Sequence, residues 1–331
     1  LSTGNRRALL EPLEARRLMA AGDLLPDLVP SANALNNRRY GASPMWAPGR
    51  TLLRFDNLVG NLGKGPLEIA AEEIVEHPRS GQLINVSQRI YNSSGGYTSR
   101  QAGVMEFHDE GSHHHFHFEE FAQYNLRSVE AGGGVGEIVR EGTKAGFCLR
   151  DSAIVSPFHP GRPGLPQYND CYPVGGISVG WGDLYDLTID YQWIDVTDLA
   201  PGQYYLESIA DPTHRLLETN EDNNTTRVLI TVNVPRLGDA TGDGAVTAAD
   251  LKVVLSNLGQ SNRTWNQGDF TGDGKVTLAD YQVLEVAWNQ PSPDTAPVPP
   301  APTPATAAKA PVKRLNPVLE APVRRPLSRR G

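Results

Sequence analysis

Half of the eight histidines fall within five residues, in GSHHHFHFEEFAQYNL (111–126). On an extended strand the side chains at i, i+2 and i+4 share one face. His113, His115 and His117 are therefore expected to point one way, and His114 and Phe116 the other. Three imidazoles that converge to ligand bonds of ~2 Å suit copper, zinc, iron or nickel. The alternation predicts a metal site without choosing the metal. No HExxH motif accompanies it, which weighs against a zinc hydrolase.

A second set of metal-type residues lies in a repeat. DATGDGAVTAAD (239–250) and DFTGDGKVTLAD (269–280) are offset by 30 positions. Calcium takes six to eight oxygens, and alternating loop positions converge on one ion when a glycine at the sixth position allows a sharp turn. The first loop offers Asp239, Thr241, Asp243, the Ala245 carbonyl and Asp250, with Gly244 at the turn. The second offers Asp269, Thr271, Asp273, the Lys275 carbonyl and Asp280, with Gly274. Apolar helical segments follow each, DLKVVLSNLG (250–259) and DYQVLEVAWN (280–289). The paired loop–helix units resemble a type I dockerin module, which implies a tether and a cohesin-type or cell-surface partner. Thr241 and Thr271 stand where that family usually has Asn or Asp, and a hydroxyl is the weaker calcium ligand.

The elements that must position these residues read mainly as β. TLLRF (51–55), INVSQRIY (84–91), YDLTIDYQWIDV (185–196), QYYLESI (203–209) and TRVLITVNV (226–234) are expected strands. Clusters such as APGQ (200–203) and TNEDNN (219–224) punctuate them, so an antiparallel, sandwich-like domain is expected ahead of the small helical calcium module. Composition gives four parts. Residues 1–23 hold LEPLEARRLMA, read as a short amphipathic helix, and resemble the sorting motif of exported bacterial proteins. Residues 24–234 form the body, 236–290 the calcium module, and 291–331 a tail with 11 of the 26 prolines. Such a tail cannot bury enough apolar surface to offset its chain entropy and is expected to be disordered. The net charge of −8 over 331 residues weighs against a nucleic-acid binder. No apolar run approaches the ~18 residues of a membrane span.

Several body segments, in order, are similar to the lysyl oxidase family: LPDLV (25–29), LLRFDNLVGNLGKGPLEI (52–69), HHHFH (113–117), EGTKAGFCLRD (141–151), YDLTIDYQWIDVTDLAPGQY (185–204) and LLETNEDNN (216–224). The resemblance implies copper bound by His113, His115 and His117, and a lysine tyrosylquinone made from Lys144 and Tyr185. It implies a secreted bacterial amine oxidase that turns primary amines, peptidyl lysine or small amines, into aldehydes with release of hydrogen peroxide and ammonia. Copper with oxygen can oxidise a phenol, a step that redox-inactive zinc cannot perform. Conjugate addition then favours a lysine whose pKa is lowered by desolvation. The resemblance also implies a structural calcium held by Asp27, the Leu28 carbonyl, Glu218, Asn220, Asn223 and Asn224, all oxygen donors.

In an exported protein Cys148 and Cys171 are expected to pair, closing a loop of about 24 residues for roughly 3 kcal/mol of stabilisation. Animal members of the family generally have a histidine before the tyrosine that follows the copper motif, whereas here Gln123 precedes Tyr124. Glutamine cannot accept a proton, and His108, Asp109, Glu119 and Glu120 all remain open as the base. The alternative reading is a non-catalytic extracellular metal-binding scaffold anchored through the dockerin-like module.

Overall fold

The computed structural model describes residues 22–110, 113–144 and 146–288. The amphipathic segment at 10–20 and the tail at 291–331 lie outside them. The chain is mainly β, with antiparallel sheets, 41% strand and 11% helix. The largest sheet runs in the order Val174–Ile177, Leu67–Ala71, Leu83–Asn92, Tyr97–Glu110 and His113–Phe118, with Asp23–Leu24 beside the third. Strand Leu83–Asn92 shows why it forms: Ile84, Val86, Gln88 and Ile90 are buried at every second position, the period that puts one face in a core.

A four-stranded sheet follows the order Val135–Glu141, Ala122–Val129, Gly202–Ala210 and Thr225–Val232. Another runs Ala153–Ile154, Trp181–Tyr185, Asn57–Asn61 and Leu28–Pro30. A three-stranded one joins Trp193–Asp195, Ala47–Phe55 and Arg38–Ser43. Side chains from all four meet in one core, with Phe55, Ile69, Phe116, Tyr124, Phe147, Tyr185 and Ile194 among them. Burial of this apolar surface is the main force holding the sheets together.

One expected strand is two. The stretch 185–196 breaks after Tyr185 and resumes only at Trp193. The Asp186 carboxylate accepts from the Thr188 N–H at 2.8 Å, a local turn that competes with the sheet ladder. Tyr191 then takes a left-handed φ of 65°, which no strand residue adopts. The resulting 186–192 loop borders the site described below.

The calcium-type module has two helices, Ala248–Asn257 and Leu278–Trp288, around a second core of Val254, Phe270, Val276, Val283, Leu284 and Ala287. Ala42 of the body belongs to that core. Its neighbour Gly41 lies so close to the second loop that a Cβ there would sit 2.4 Å from the Thr271 carbonyl oxygen. Only glycine permits this approach. Among the described residues no helix is long and apolar enough to cross a membrane.

Candidate functional site

The histidine strand is the edge of the largest sheet and pairs antiparallel with Tyr97–Glu110, placing His108 opposite His115 and Glu106 opposite His117. His114 and Phe116 both pack edge-on against Phe107, with centroids 5.2 Å away. His115 and His117 occupy the opposite face, and their Nε2 atoms lie 2.9 Å apart. The described residues include the backbone of His113 on the same strand, in register with Glu110. The His117 ring also stands 4.4 Å from that of His108, and only 5% of His117 is exposed. Two imidazole nitrogens directed at one point are a donor set that fits copper.

Lys144 reaches this region through a short pinned segment. Phe118 and Phe147 exchange two backbone hydrogen bonds, of 2.8 and 2.9 Å, that tie the chain after Lys144 to the end of the histidine strand. Gly146 lies close against this strand, and a Cβ there would meet Glu119 Oε1 at 2.2 Å and push that side chain aside. Tyr185 ends its strand in register with Asn57. The Cys148 N–H donates to its hydroxyl at 2.6 Å, and the Phe147 ring lies 4.8 Å away at 75°.

These constraints set Lys144 Nζ 4.8 Å from the centre of the Tyr185 ring. Both side chains are buried. Desolvation lowers the Lys144 pKa to about 8, against the opposing pull of Glu119 and Asp183. Burial raises the Tyr185 phenol well above its ordinary value, and the Asp183 carboxylate adds to this. A disulfide joins Cys148 to Cys171 and so braces the backbone that holds the Tyr185 hydroxyl.

Two cavities flank the pair. One of about 430 Å³ is walled by His115, His117, the disulfide, Asp183, Tyr185 and Asp190. The other, of about 460 Å³, is walled by Trp46, Glu106, His108, Glu119, Lys144 and Tyr191, with His117 shared by both. Of the four candidate bases, His108 and Glu119 face the second cavity, with Nε2 and Oε1 3.6 Å apart. Asp109 instead pairs with the exposed His114, and Glu120 with Arg215. Gln123 turns its amide to Asn125 Oδ1 at 3.2 Å. Asp183, buried with Oδ2 lacking a hydrogen-bond partner, went unnoticed in the sequence. Its position two residues before Tyr185 on one strand was the available signal.

The late acidic loop meets the N-terminal segment. Glu218, 2% exposed, accepts from the Leu28 N–H at 2.6 Å and from Asn224 Nδ2 at 2.9 Å. Asn223 Nδ2 donates to Asp27 Oδ1 at 2.9 Å. The Oδ1 atoms of Asn223 and Asn224 are buried without a hydrogen-bond partner, and burial pushes the Glu218 carboxyl up to about 8. Orphaned oxygens around a desolvated carboxylate fit a hard cation. Asn220 is exposed and its carbonyl accepts from the Asp222 N–H, while Asp211 and Glu221 place carboxylate oxygens within 4.8 Å of Glu218.

In the repeat, Asp239 accepts from the Gly242 and Gly244 N–H groups, and Asp269 from Gly272, Asp273 and Gly274. Gly244 and Gly274 have φ of 86° and 85°, the left-handed turn the pattern requires. Asp250 and Asp280 are fully buried and gather the N–H groups of Thr241 with Thr247, and of Thr271 with Thr277. Burial raises Asp269 to about 6, opposed by the Gly274 N–H and reinforced by Asp280 and Asp273. Asp243 and Asp273 each turn to the N–H two residues on, those of Ala245 and Lys275.

The architecture is thus an antiparallel β domain with a buried lysine–tyrosine pair beside a histidine strand, followed by a duplicated acidic-loop module. The lysyl oxidase family model matches residues 67–236, and the dockerin type I domain model matches 237–293. The chain belongs to the lysyl oxidase family and carries a dockerin domain. It is 33% identical over 149 residues to lysyl oxidase homolog 4 of Mus musculus, covering 44% of this chain and 18% of that protein. Against lysyl oxidase homolog 2A of Danio rerio it is 30% identical over 210 residues, 62% of this chain and 25% of the relative. Against lysyl oxidase homolog 1 of Homo sapiens it is 34% identical over 148 residues, 44% and 24% respectively. The chain therefore spans a quarter or less of the length of these relatives.

Proposed function

We propose that the protein is an extracellular or cell-surface copper amine oxidase that converts primary amines to aldehydes, releasing hydrogen peroxide and ammonia. The observation that carries this reading is the approach of Lys144 Nζ to within 4.8 Å of the Tyr185 ring centre, with Tyr185 in the same cavity as His115 and His117. His113, His115 and His117 would hold the copper. A quinone built from Lys144 and Tyr185 would supply the electrophilic carbonyl and the electron sink. The remaining work falls to the chain itself. Burial favours the neutral, nucleophilic form of Lys144. The Cys148 N–H fixes the Tyr185 hydroxyl, and Phe147 fixes the ring plane. Glu119 and His108 stand where a proton can be taken from a group next to Lys144.

Calcium is proposed at Asp27, the Leu28 carbonyl, Glu218, Asn220, Asn223 and Asn224, and at the two dockerin loops, through Asp239, Thr241, Asp243, Ala245 and Asp250 and through Asp269, Thr271, Asp273, Lys275 and Asp280. The dockerin domain would tether the oxidase to a cohesin-type or cell-surface partner. The amide of Gln123, turned to Asn125, favours the second reading, a metal-binding scaffold without turnover.

Peptide mass spectrometry of copper-loaded protein, expressed in air, separates the two. A covalent Lys144–Tyr185 peptide pair is expected, with peroxide release on adding a primary amine and neither in Tyr185→Phe. Unlinked peptides after copper loading, with Tyr185→Phe indistinguishable from the native chain, would leave the scaffold reading.

A further inference from the structure

A separate cavity of about 340 Å³ opens where the β domain meets the dockerin domain. The β domain lines it with Arg38, Arg39 and Leu53, and the dockerin domain with Arg263, Trp265 and Asp269. The two parts touch beside it. A Cβ on Gly272 would lie 2.7 Å from the Tyr40 carbonyl oxygen, and one on Gly274 would lie 3.7 Å from Arg39 Nη1.

Among the described residues, none of these three arginines has a carboxylate within ion-pair distance. Arg38 donates to Asn36 Oδ1 at 3.1 Å and Arg263 to Gln260 Oε1 at 3.0 Å, both neutral acceptors. Arg39 is placed at greater cost. Strand register sets it directly opposite Arg54, and opposed like charges destabilise a sheet pair. Arg54 rests on the Trp193 ring, 4.6 Å from its centre, and donates to the Leu187 and Ala42 carbonyls at 3.3 Å. The Nε atoms of both arginines are nonetheless buried without a hydrogen-bond partner. A buried charged donor left unmet is expensive, and it marks a place for an acceptor. Asp269 does not fill that place, since its oxygens accept from the Gly272 and Gly274 N–H groups of its own loop at 2.9 Å.

Guanidinium forks match the oxygens of carboxylates and phosphates. Three arginines against one engaged carboxylate leave an excess of two positive charges. A phosphate monoester, at about −1.5 to −2, balances that excess, whereas a carboxylate does not. Leu53 and Trp265 supply an apolar wall for an organic group beside the anionic head. We propose that this junction cavity binds a phosphate monoester, its head held by Arg39 and Arg263 and its organic part laid against Leu53 and Trp265. Because one arginine belongs to the β domain and the other to the dockerin domain, the ligand ties the two together.

Calorimetry on the full chain, with phenyl phosphate as the probe, tests this. Inorganic phosphate and benzoate should each bind about tenfold more weakly, the first lacking the organic part and the second the dianionic head. Arg39→Gln and Arg263→Gln should each weaken phenyl phosphate about tenfold with circular dichroism unchanged, and Arg39→Lys should restore only part of the loss. Arg79→Gln, at an exposed arginine elsewhere, should change nothing. Phenyl phosphate should also slow hydrogen exchange in both Arg38–Ser43 and the 263–270 segment. The proposal is overturned by no detectable binding, or by binding indifferent to both Arg39→Gln and Arg263→Gln. Benzoate or inorganic phosphate binding as tightly as phenyl phosphate overturns it too, as does protection confined to one side of the junction.

Discussion

The lysine–tyrosine centre and the dockerin loops are both built from charged groups in confined space, yet they are held in opposite ways. In each loop the carboxylates come from twelve consecutive residues and are anchored by the loop's own N–H groups. Asp250 shows the result. Burial alone would raise its pKa, but hydrogen bonds from Thr247, Thr241 and Ala240 outweigh that and hold it below the ordinary carboxylate range. The first loop thus satisfies its buried carboxylate by itself, although in the second Asp269 is still raised to about 6 by burial. Lys144 and Tyr185 have no such local support. They lie on separate segments, meet only through the tertiary core, and are left with desolvation as the main influence on both. A group stabilised where it stands can bind, whereas a group held short of its stable charge state can react.

The largest effect that can break this contrast is Lys144→Arg. Arginine preserves the charge and much of the length, but its guanidinium stays protonated and offers no neutral amine. Complete loss of the Lys144–Tyr185 peptide pair is expected on mass spectrometry, with hydrogen exchange in both dockerin loops and the far-ultraviolet circular dichroism unchanged. A persistent covalent link at this position would show that desolvation of a lysine is not what prepares the centre.

Asp250→Ala tests the other side. It strips a buried acceptor from the N–H groups of Ala240, Thr241 and Thr247, at 3.0, 3.0 and 2.8 Å. Leaving buried donors unmet should cost about 1–3 kcal/mol. Hydrogen exchange should accelerate in helix Ala248–Asn257 and the first loop, while the strand His113–Phe118 keeps its protection. If exchange rises equally in the histidine strand, the module is not locally held and the comparison fails.

The same contrast explains what the sequence made legible. The repeat was legible locally, because the acidic spacing and the turn glycines Gly244 and Gly274 sit within one short window. The histidine face was equally readable, since strand alternation assigns His115 and His117 to one side without any long-range knowledge. The identities of Lys144 and Tyr185 came only from resemblance to a family, as nothing in their own surroundings marks them. Their closeness depends on the Phe118–Phe147 pairing and on the register of Trp181–Tyr185, neither of which leaves a local trace. The 185–196 stretch misled for a related reason. Leu187 and Ile189 continue the apolar alternation, but the Asp186 side chain closes a turn on Thr188, and hydropathy does not register that competition. Trp46 and Glu106 were invisible as cavity residues because one comes from the turn at 44–46 and the other from strand Tyr97–Glu110, far apart in sequence.

The smallest effect expected is a pH dependence, and it sharpens the comparison because a penalised lysine and a satisfied carboxylate act in different pH windows. The folded-state pKa of Lys144 is lowered from 10.5 to about 8 by burial. Between those values the unfolded chain binds the proton that the folded chain has released, so this group makes folding stability rise with pH across about 8 to 10.5. Below about 8 it imposes its full penalty, since the ammonium must then be carried in a desolvated site. Link formation requires the neutral amine, so its initial rate in copper-loaded protein should rise about fivefold from pH 7 to pH 8 and level off above pH 9. A rate that instead climbs steadily to pH 10.5 would mean that Lys144 titrates as an exposed lysine does. Asp250 also makes stability rise with pH, but far lower on the scale: a depressed carboxylate's contribution is present above its unfolded value and fades as the solution is acidified. Measured on one chain, the two windows separate a penalty relieved by deprotonation, at Lys144, from a stabilisation already complete near neutrality, at Asp250.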